Sequence, residues 1–339
     1  MSNQAAWITA AKAYPLKVEE SPMPKAGAGE VVIKNHAVAI NPVDWKIQTY
    51  GIFVQKYPNV LGTDVAGEVY EVGSGVTHVK KGDRVLGHAF SLVTNNPTNG
   101  GFNLYTLCNS LAVSRIPSSL SYASAAVLPL SISTASACLY KHETLSLPLP
   151  STSSKPTNKS VLIWGGSSSV GASAIQLAAA SGVTVLSVAS KHNLDKLKEL
   201  GAKHAFDYKS ASVADDIVNA LEGTEFVGVC DCIGTPDAAK AWTPVYKKLG
   251  GRYGSVMPGA EGLPEGIEGG SVFAPSVALA DKYIGEVVWA KYIPEALAND
   301  SFKAKPDPTV VGNGLEKIQV GMNELKKGGA SFTKYVVTL

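Results

Sequence analysis

The segment VLIWGGSSSVGASAIQLAAASG (161–182) sets Gly165, Gly166, Ser167, Ser168, Ser169, Val170 and Gly171 between an apolar run and a run of helix formers. A phosphate needs free backbone N–H groups at a helix start and no bulky side chain in the way. Glycines clear that space, and serine hydroxyls add donors of their own. A tight turn packing a helix onto a sheet would use the same residues. The spacing departs from G-x-G-x-x-G, so its weight comes from the strand before it and the helix after it. The next apolar run, Val183–Ala189, leads into Ser190, Lys191, His192 and Asn193. A site for NAD usually places Asp or Glu there, on the ribose 2′-hydroxyl. No acid occurs before Asp195. A carboxylate repels a 2′-phosphate and a lysine attracts it, so NADPH is expected, with Asn193 and Tyr208 as neutral donors. The plain alternative for Lys191 is a solvated loop lysine.

Strands must carry that loop. Val161–Trp164, Val183–Ala189, His204–Tyr208, Val227–Ile233 and Arg252–Met257 read as short strands alternating with helices. One helix follows the Gly/Ser loop and runs to about Ala180, and others fall at about 193–200, 212–222 and 236–249. This alternation predicts a Rossmann-type, doubly wound parallel sheet, whose strands lack polar alternation because both faces are covered. Ala6–Thr9, Leu16–Glu19, Val31–Ile40, Leu61–Val72 and KKGDRVLG (80–87) read instead as short strands between turns, as in a β-barrel. The glycines of Leu61–Val72 imply a bulge or a close backbone approach. The Gly/Pro-rich stretch 259–277 reads as an irregular wall or a connector.

At 339 residues the chain suits two domains. With 17% charged and 45% hydrophobic residues its bulk should fold. Lys and Arg number 30 against 28 Asp and Glu, which leaves no electrostatic footprint for nucleic acid or a membrane surface. The four cysteines make no disulfide framework and the amino terminus lacks a signal-peptide pattern, so a cytoplasmic protein is expected. The uncharged run from Ile116 to Tyr140 is long enough to cross a membrane, but it is Ser-rich and carries Pro129. A buried helical segment is expected there.

AINPVDWK (39–46), LGTDVAGEVYEVGSGV (61–76), KKGDRVLG, the 161–182 loop and SFTKYVVTL (331–339) together resemble the zinc-independent quinone and enoyl reductases among the medium-chain dehydrogenase/reductases. GGSSSVG, SKHN and FDYK look similar to fungal stand-alone enoyl reductases that assist polyketide synthases, and to related quinone or aldehyde reductases. The resemblance implies an α/β fold: a GroES-like β-barrel catalytic domain (1–122 and 285–339) with a Rossmann NADPH-binding domain (123–284) inserted, and a site in the cleft between them. Where the zinc enzymes carry a ligand Cys this chain reads AINPVD, and where they carry Gly-His-Glu it reads Gly62-Thr63-Asp64. The third ligand region, Ser131–Thr134, also lacks Cys, and a catalytic zinc needs three such ligands. No metal site is expected. Cys230 and Cys232 face one side of a strand, where packing is the commoner role.

The resemblance also assigns roles. It puts Val43 and Asp44 beside the coenzyme, with Asp44 organising the turn, and Asn41 where its amide could position the ring or the substrate. Lys46 is the first choice for a substrate-facing cation or proton donor, against a solvated lysine. Tyr50 is a second donor, at a spacing shorter than the family's. Thr134 is either a nicotinamide neighbour or a helix hydroxyl bonded to its own backbone. Three functions stay open: an enoyl reductase for carrier-bound or CoA-bound acyl chains, acting with a polyketide synthase; a quinone or aldehyde reductase for free small molecules; and a non-catalytic NADPH-binding protein.

Overall fold

The computed structural model describes residues 2–259 and 261–339. The chain divides into two compact units. The first runs to Leu130 and takes up Trp289–Asp300 and Ala304–Leu339; the second holds Ser131–Val288 and Ser301–Lys303.

Among the described residues, eight strands lie in the first part of the chain: β1 Asn3–Ile8, β2 Lys17–Ser21, β3 Glu30–Ala39, β4 Asn59–Val60, β5 Asp64–Val72, β6 Arg84–His88, β7 Tyr105–Asn109 and β8 Val113–Arg115. The second unit adds β9 Lys159–Trp164, β10 Thr184–Ala189, β11 His204–Asp207, β12 Glu225–Asp231, β13 Arg252–Ser255 and β14 Glu268–Ser271. Strands β15 Asp307–Asn313 and β16 Thr333–Thr338 return to the first.

In the first unit β2-β1-β4 form a small sheet, and β15-β16-β3-β5-β6-β8 a larger one in which β7 also pairs with β3. The β3/β5 register slips between Asn35 and Ala37. Gly67 faces that slip, and a Cβ there would lie 1.9 Å from the Lys34 carbonyl oxygen. This is the close approach that the glycines of 61–72 predict. Ile8, Ile33, Ile40, Ile47, Leu61 and Phe102 fill the core with at most 1% of their surface exposed.

The second unit is a parallel sheet in the order β11-β10-β9-β12-β13-β14. This is the strand order of a doubly wound dinucleotide fold. Strands β9 and β10 are buried at every residue after the first, which is why their sequences do not alternate. The helix Ser169–Ala180 follows β9 and buries Gly171 through Ala178, and its first buried turn, Gly171–Ala174, is made of small residues that let it lie close to the sheet. Strand β14 corrects the reading of 259–277 as irregular: Glu268–Ser271 pairs in parallel with β13. Its residues, Glu-Gly-Gly-Ser, have no strand propensity, so the unpaired edge of β13 is what recruits them. Ala260, in the same stretch, lies outside the described residues. The helical stretch Tyr122–Tyr140 has the length and hydropathy to cross a membrane, yet 78% of its apolar window is buried inside the structure.

Candidate functional site

The chain leaves β9 for β10 on one side and later returns to β12 on the other. The carboxyl end of β9 is therefore the switch point where doubly wound sheets bind ligands. The Gly/Ser loop stands there. The N–H groups of Gly165 (φ 86°) and Gly166 both donate to the Val188 carbonyl, at 3.0 and 2.9 Å. A Cβ on Gly166 would come 2.1 Å from Ser187 Oγ, and one on Gly171 would come 2.3 Å from the Gly165 carbonyl oxygen. Only hydrogens fit, so the loop lies pressed between sheet and helix and the helix start is left clear. The first-turn amides of Ser169 and Val170 have no intrahelical acceptor and are suited to an anion.

Ser168 corrects one expectation. Its hydroxyl accepts the Gly171 N–H at 3.0 Å and donates to the Gly165 carbonyl at 2.9 Å, so it caps the helix and its proton is already used. Ser167, Ser169 and Val170 are half-buried beside it.

After β10, Ser190 leads into a short 3-10 turn, Lys191–Asn193. Lys191 and His192 are exposed and Asn193 is buried. The Tyr208 N–H donates to the Ala189 carbonyl at 3.2 Å, which brings its half-exposed ring beside the end of β10. Sequence reasoning passed over Lys209, whose Nζ lies 5.7 Å from the centre of the Tyr208 ring. Its place in FDYK was the available signal. Asp207 is the acid of this corner, and its Oδ1 accepts the Lys209 N–H at 3.0 Å. Thr134 is buried in the helix Pro129–Tyr140 of the same unit.

In the first unit, the helix Pro42–Tyr50 starts with Pro at its first position and ends at Gly51 in the left-handed region (φ 70°). Val43 and Lys46 are half-buried, and Tyr50, the last residue, is 56% exposed. Lys46 and Tyr50, four apart, share a face of the helix. Lys46 Nζ lies 5.9 Å from the centre of the Trp45 ring. Asn41 departs from expectation. Its Nδ2 donates to Thr63 Oγ1 at 2.9 Å and to Asp64 Oδ2 at 2.7 Å, so both amide hydrogens are spent inside the protein. Asp44 organises the turn as expected, accepting the Asn41 N–H at 2.7 Å and the Gly62 N–H at 3.3 Å.

Sequence reasoning missed the partners behind this turn. Lys334 and Asp64 form an ion pair with side chains 4% and 0% exposed. Burial, helped by the Asp64 charge, pushes the Asp44 carboxyl up to about 7 against the pull of its two N–H donors. Burial also depresses the His88 imidazole to about 4, so it is neutral at pH 7.

Residues 27–129 match the alcohol dehydrogenase GroES-like domain family, and residues 169–259 the zinc-binding dehydrogenase family. A trans-enoyl reductase of Aspergillus japonicus is 45% identical over 99% of this chain and 97% of its own. The chain is a medium-chain dehydrogenase/reductase. Another relative, the enoyl reductase component of lovastatin nonaketide synthase from Aspergillus terreus, is 31% identical over 94% of this chain and 92% of its own. An alcohol dehydrogenase superfamily protein from Novosphingobium aromaticivorans shares the fold, with a TM-score of 0.76 over 99% of both chains at 22% identity.

As a member of that family this medium-chain reductase works with a nicotinamide coenzyme, and the glycine-lined switch point fits a dinucleotide. Zinc does not fit. Asn41 presents amide hydrogens inward, Thr63 offers one hydroxyl, and Asp64 already accepts from Asn41, Leu130 and the Lys334 ammonium. A cation there would meet a buried positive charge. Among the described residues no group of three or more His, Cys, Asp or Glu could hold a metal ion.

Proposed function

We propose that this reductase uses NADPH to reduce the conjugated C=C of an enoyl thioester, without metal, as a stand-alone enoyl reductase serving a polyketide synthase. The observation that carries the reading is the end of β10, where Ser190 and Lys191 stand in place of the carboxylate of an NAD site, beside the glycine loop. Two relatives support the substrate class by name: one is a trans-enoyl reductase and the other an enoyl reductase component of a synthase. When bound, the coenzyme supplies the hydride.

The protein's own residues supply the rest. Reducing a conjugated C=C leaves negative charge on the carbonyl oxygen and needs a proton at the α-carbon. The Lys46 ammonium steadies that oxygen or donates that proton, doing electrostatically what a Lewis acid would otherwise do. Tyr50, on the same helix face, is the second donor. Asn41 keeps the turn in place and has no hydrogen left for the substrate.

The test follows NADPH loss with enoyl thioesters, quinones and aldehydes offered side by side. Preferred turnover of enoyl thioesters is expected. Preference for quinones or aldehydes would transfer the reading to a reductase of free small molecules. Coenzyme binding with no turnover of any substrate would leave a binding protein and overturn it.

A further inference from the structure

We infer that Lys334 is a positioning residue of this reductase: its buried ammonium, paired with Asp64, locks the turn from which the helix bearing Lys46 and Tyr50 begins. The inference rests on the proposed function only for what Lys46 does to a substrate.

Lys334 sits on β16, 270 residues from Asp64 at the start of β5. Every acceptor position the Asp64 carboxylate uses leads to a different segment. Its Oδ2 takes Asn41 Nδ2 at 2.7 Å together with Lys334 Nζ, and its Oδ1 takes the Leu130 N–H at 2.5 Å. Lys334 Nζ also donates to the Val127 carbonyl at 3.1 Å. One ion pair thus ties together the turn at 41–44, the start of β5, the segment 127–130 and the last strand.

A carboxylate so buried is strongly disfavoured without a counter-charge. The ammonium lets Asp64 remain an acceptor for Asn41 and Leu130 together. Asn41 in turn starts the helix, its N–H on Asp44 and its carbonyl accepting the Asp44 N–H at 3.1 Å. A helix is stiff over two turns, so a shift at Asn41 carries Lys46 and Tyr50 with it. A donor displaced by about 1 Å can lose two orders of magnitude in rate.

The experiment compares the full chain with Lys334→Met, Lys334→Arg and the double variant Asp64→Asn/Lys334→Met. Steady-state turnover with an enoyl thioester, NADPH titration, thermal unfolding and amide hydrogen exchange are measured on each. Lys334→Met should lower kcat by about 10- to 100-fold with coenzyme affinity unchanged. Exchange should quicken across residues 42–50 while the β9–β10 amides stay as they were. Lys334→Arg should recover most of the turnover. The double variant should recover melting temperature but not turnover, because the amide NH2 that replaces one carboxylate oxygen faces either Asn41 Nδ2 or the Leu130 N–H donor to donor.

Wild-type kcat and wild-type exchange at 42–50 in Lys334→Met would overturn the inference. So would a double variant that regains turnover along with stability, since the pair would then be structural only. Should the wild-type chain reduce nothing in the panel, the proposed function falls, and the exchange comparison alone decides the role of Lys334.

Discussion

Lys191 stands exposed in the turn that follows β10, and the proposed function gives its charge the 2′-phosphate of NADPH. Lys191→Ala should weaken NADPH about tenfold, the worth of roughly 1.4 kcal/mol, and leave NADH almost untouched. Fluorescence titration with both coenzymes checks this, and equal losses would remove the assigned contact. Lys46 predicts the opposite pattern. Lys46→Ala should lower kcat about 100-fold while coenzyme affinity holds, and full turnover would take it out of the mechanism. Asp44 gives a pH signature. Its carboxyl rises from 3.8 to about 7 on folding, so the folded chain holds the proton more tightly than the unfolded chain. The stability this brings is complete below pH about 4 and lost as pH climbs to about 7, on the order of 4 kcal/mol. Asp44→Asn lacks that loss, so its melting temperature relative to wild type should rise between pH 4 and pH 7. A constant difference across that range would refute it. His88, depressed to about 4, slopes the other way below its ordinary 6.5, which is why the comparison is made at matched pH.

In the proposed function the element that holds the coenzyme is the turn from β9 into the helix Ser169–Ala180. Backbone, not side chain, closes it: two N–H groups reach Val188, and Gly171 leaves 2.3 Å between a notional Cβ and the Gly165 carbonyl. Gly171→Ala must push helix and loop apart. It should cost about 1–3 kcal/mol in thermal or denaturant unfolding and abolish NADPH binding. A variant that binds the coenzyme normally would show the loop to be freer than its hydrogen bonds imply. At the next turn of the sheet, Asp231 receives the Ile233 and Gly234 N–H groups at 3.0 and 2.9 Å and Trp242 Nε1 at 3.0 Å. That carboxylate shapes the loop after β12 much as Asp44 shapes the one before the helix Pro42–Tyr50. In both places a buried acid is spent on backbone N–H groups, so neither is free for a metal or a substrate.

For the molecule as a whole, donor chemistry predicts metal independence. Dialysis against a chelator should leave turnover unchanged, and elemental analysis should find no stoichiometric zinc; one zinc per chain would contradict the reading of Asn41, Thr63 and Asp64. Much of the architecture was legible in the chain. The period of short apolar runs and helices predicts the parallel sheet, because fully covered strands need no polar face and each must be followed by a crossover. The Gly/Ser turn and the lack of an acid directly after β10 are local patterns, readable because each lies within one short window of sequence. Three features were not legible. Strand β14 is held by the edge of β13 against its own composition. The Ser168 hydroxyl turned inward to its own cap. The partnership of Lys334 with Asp64 spans 270 residues, so no window of sequence contains it. What the amino-acid order determined by itself was what spacing along the chain sets: the rhythm of strands and helices and the small-residue turn after β9. What only the tertiary structure decided was which buried charges meet, since desolvation selects partners by distance in space and the sequence records only distance along the backbone.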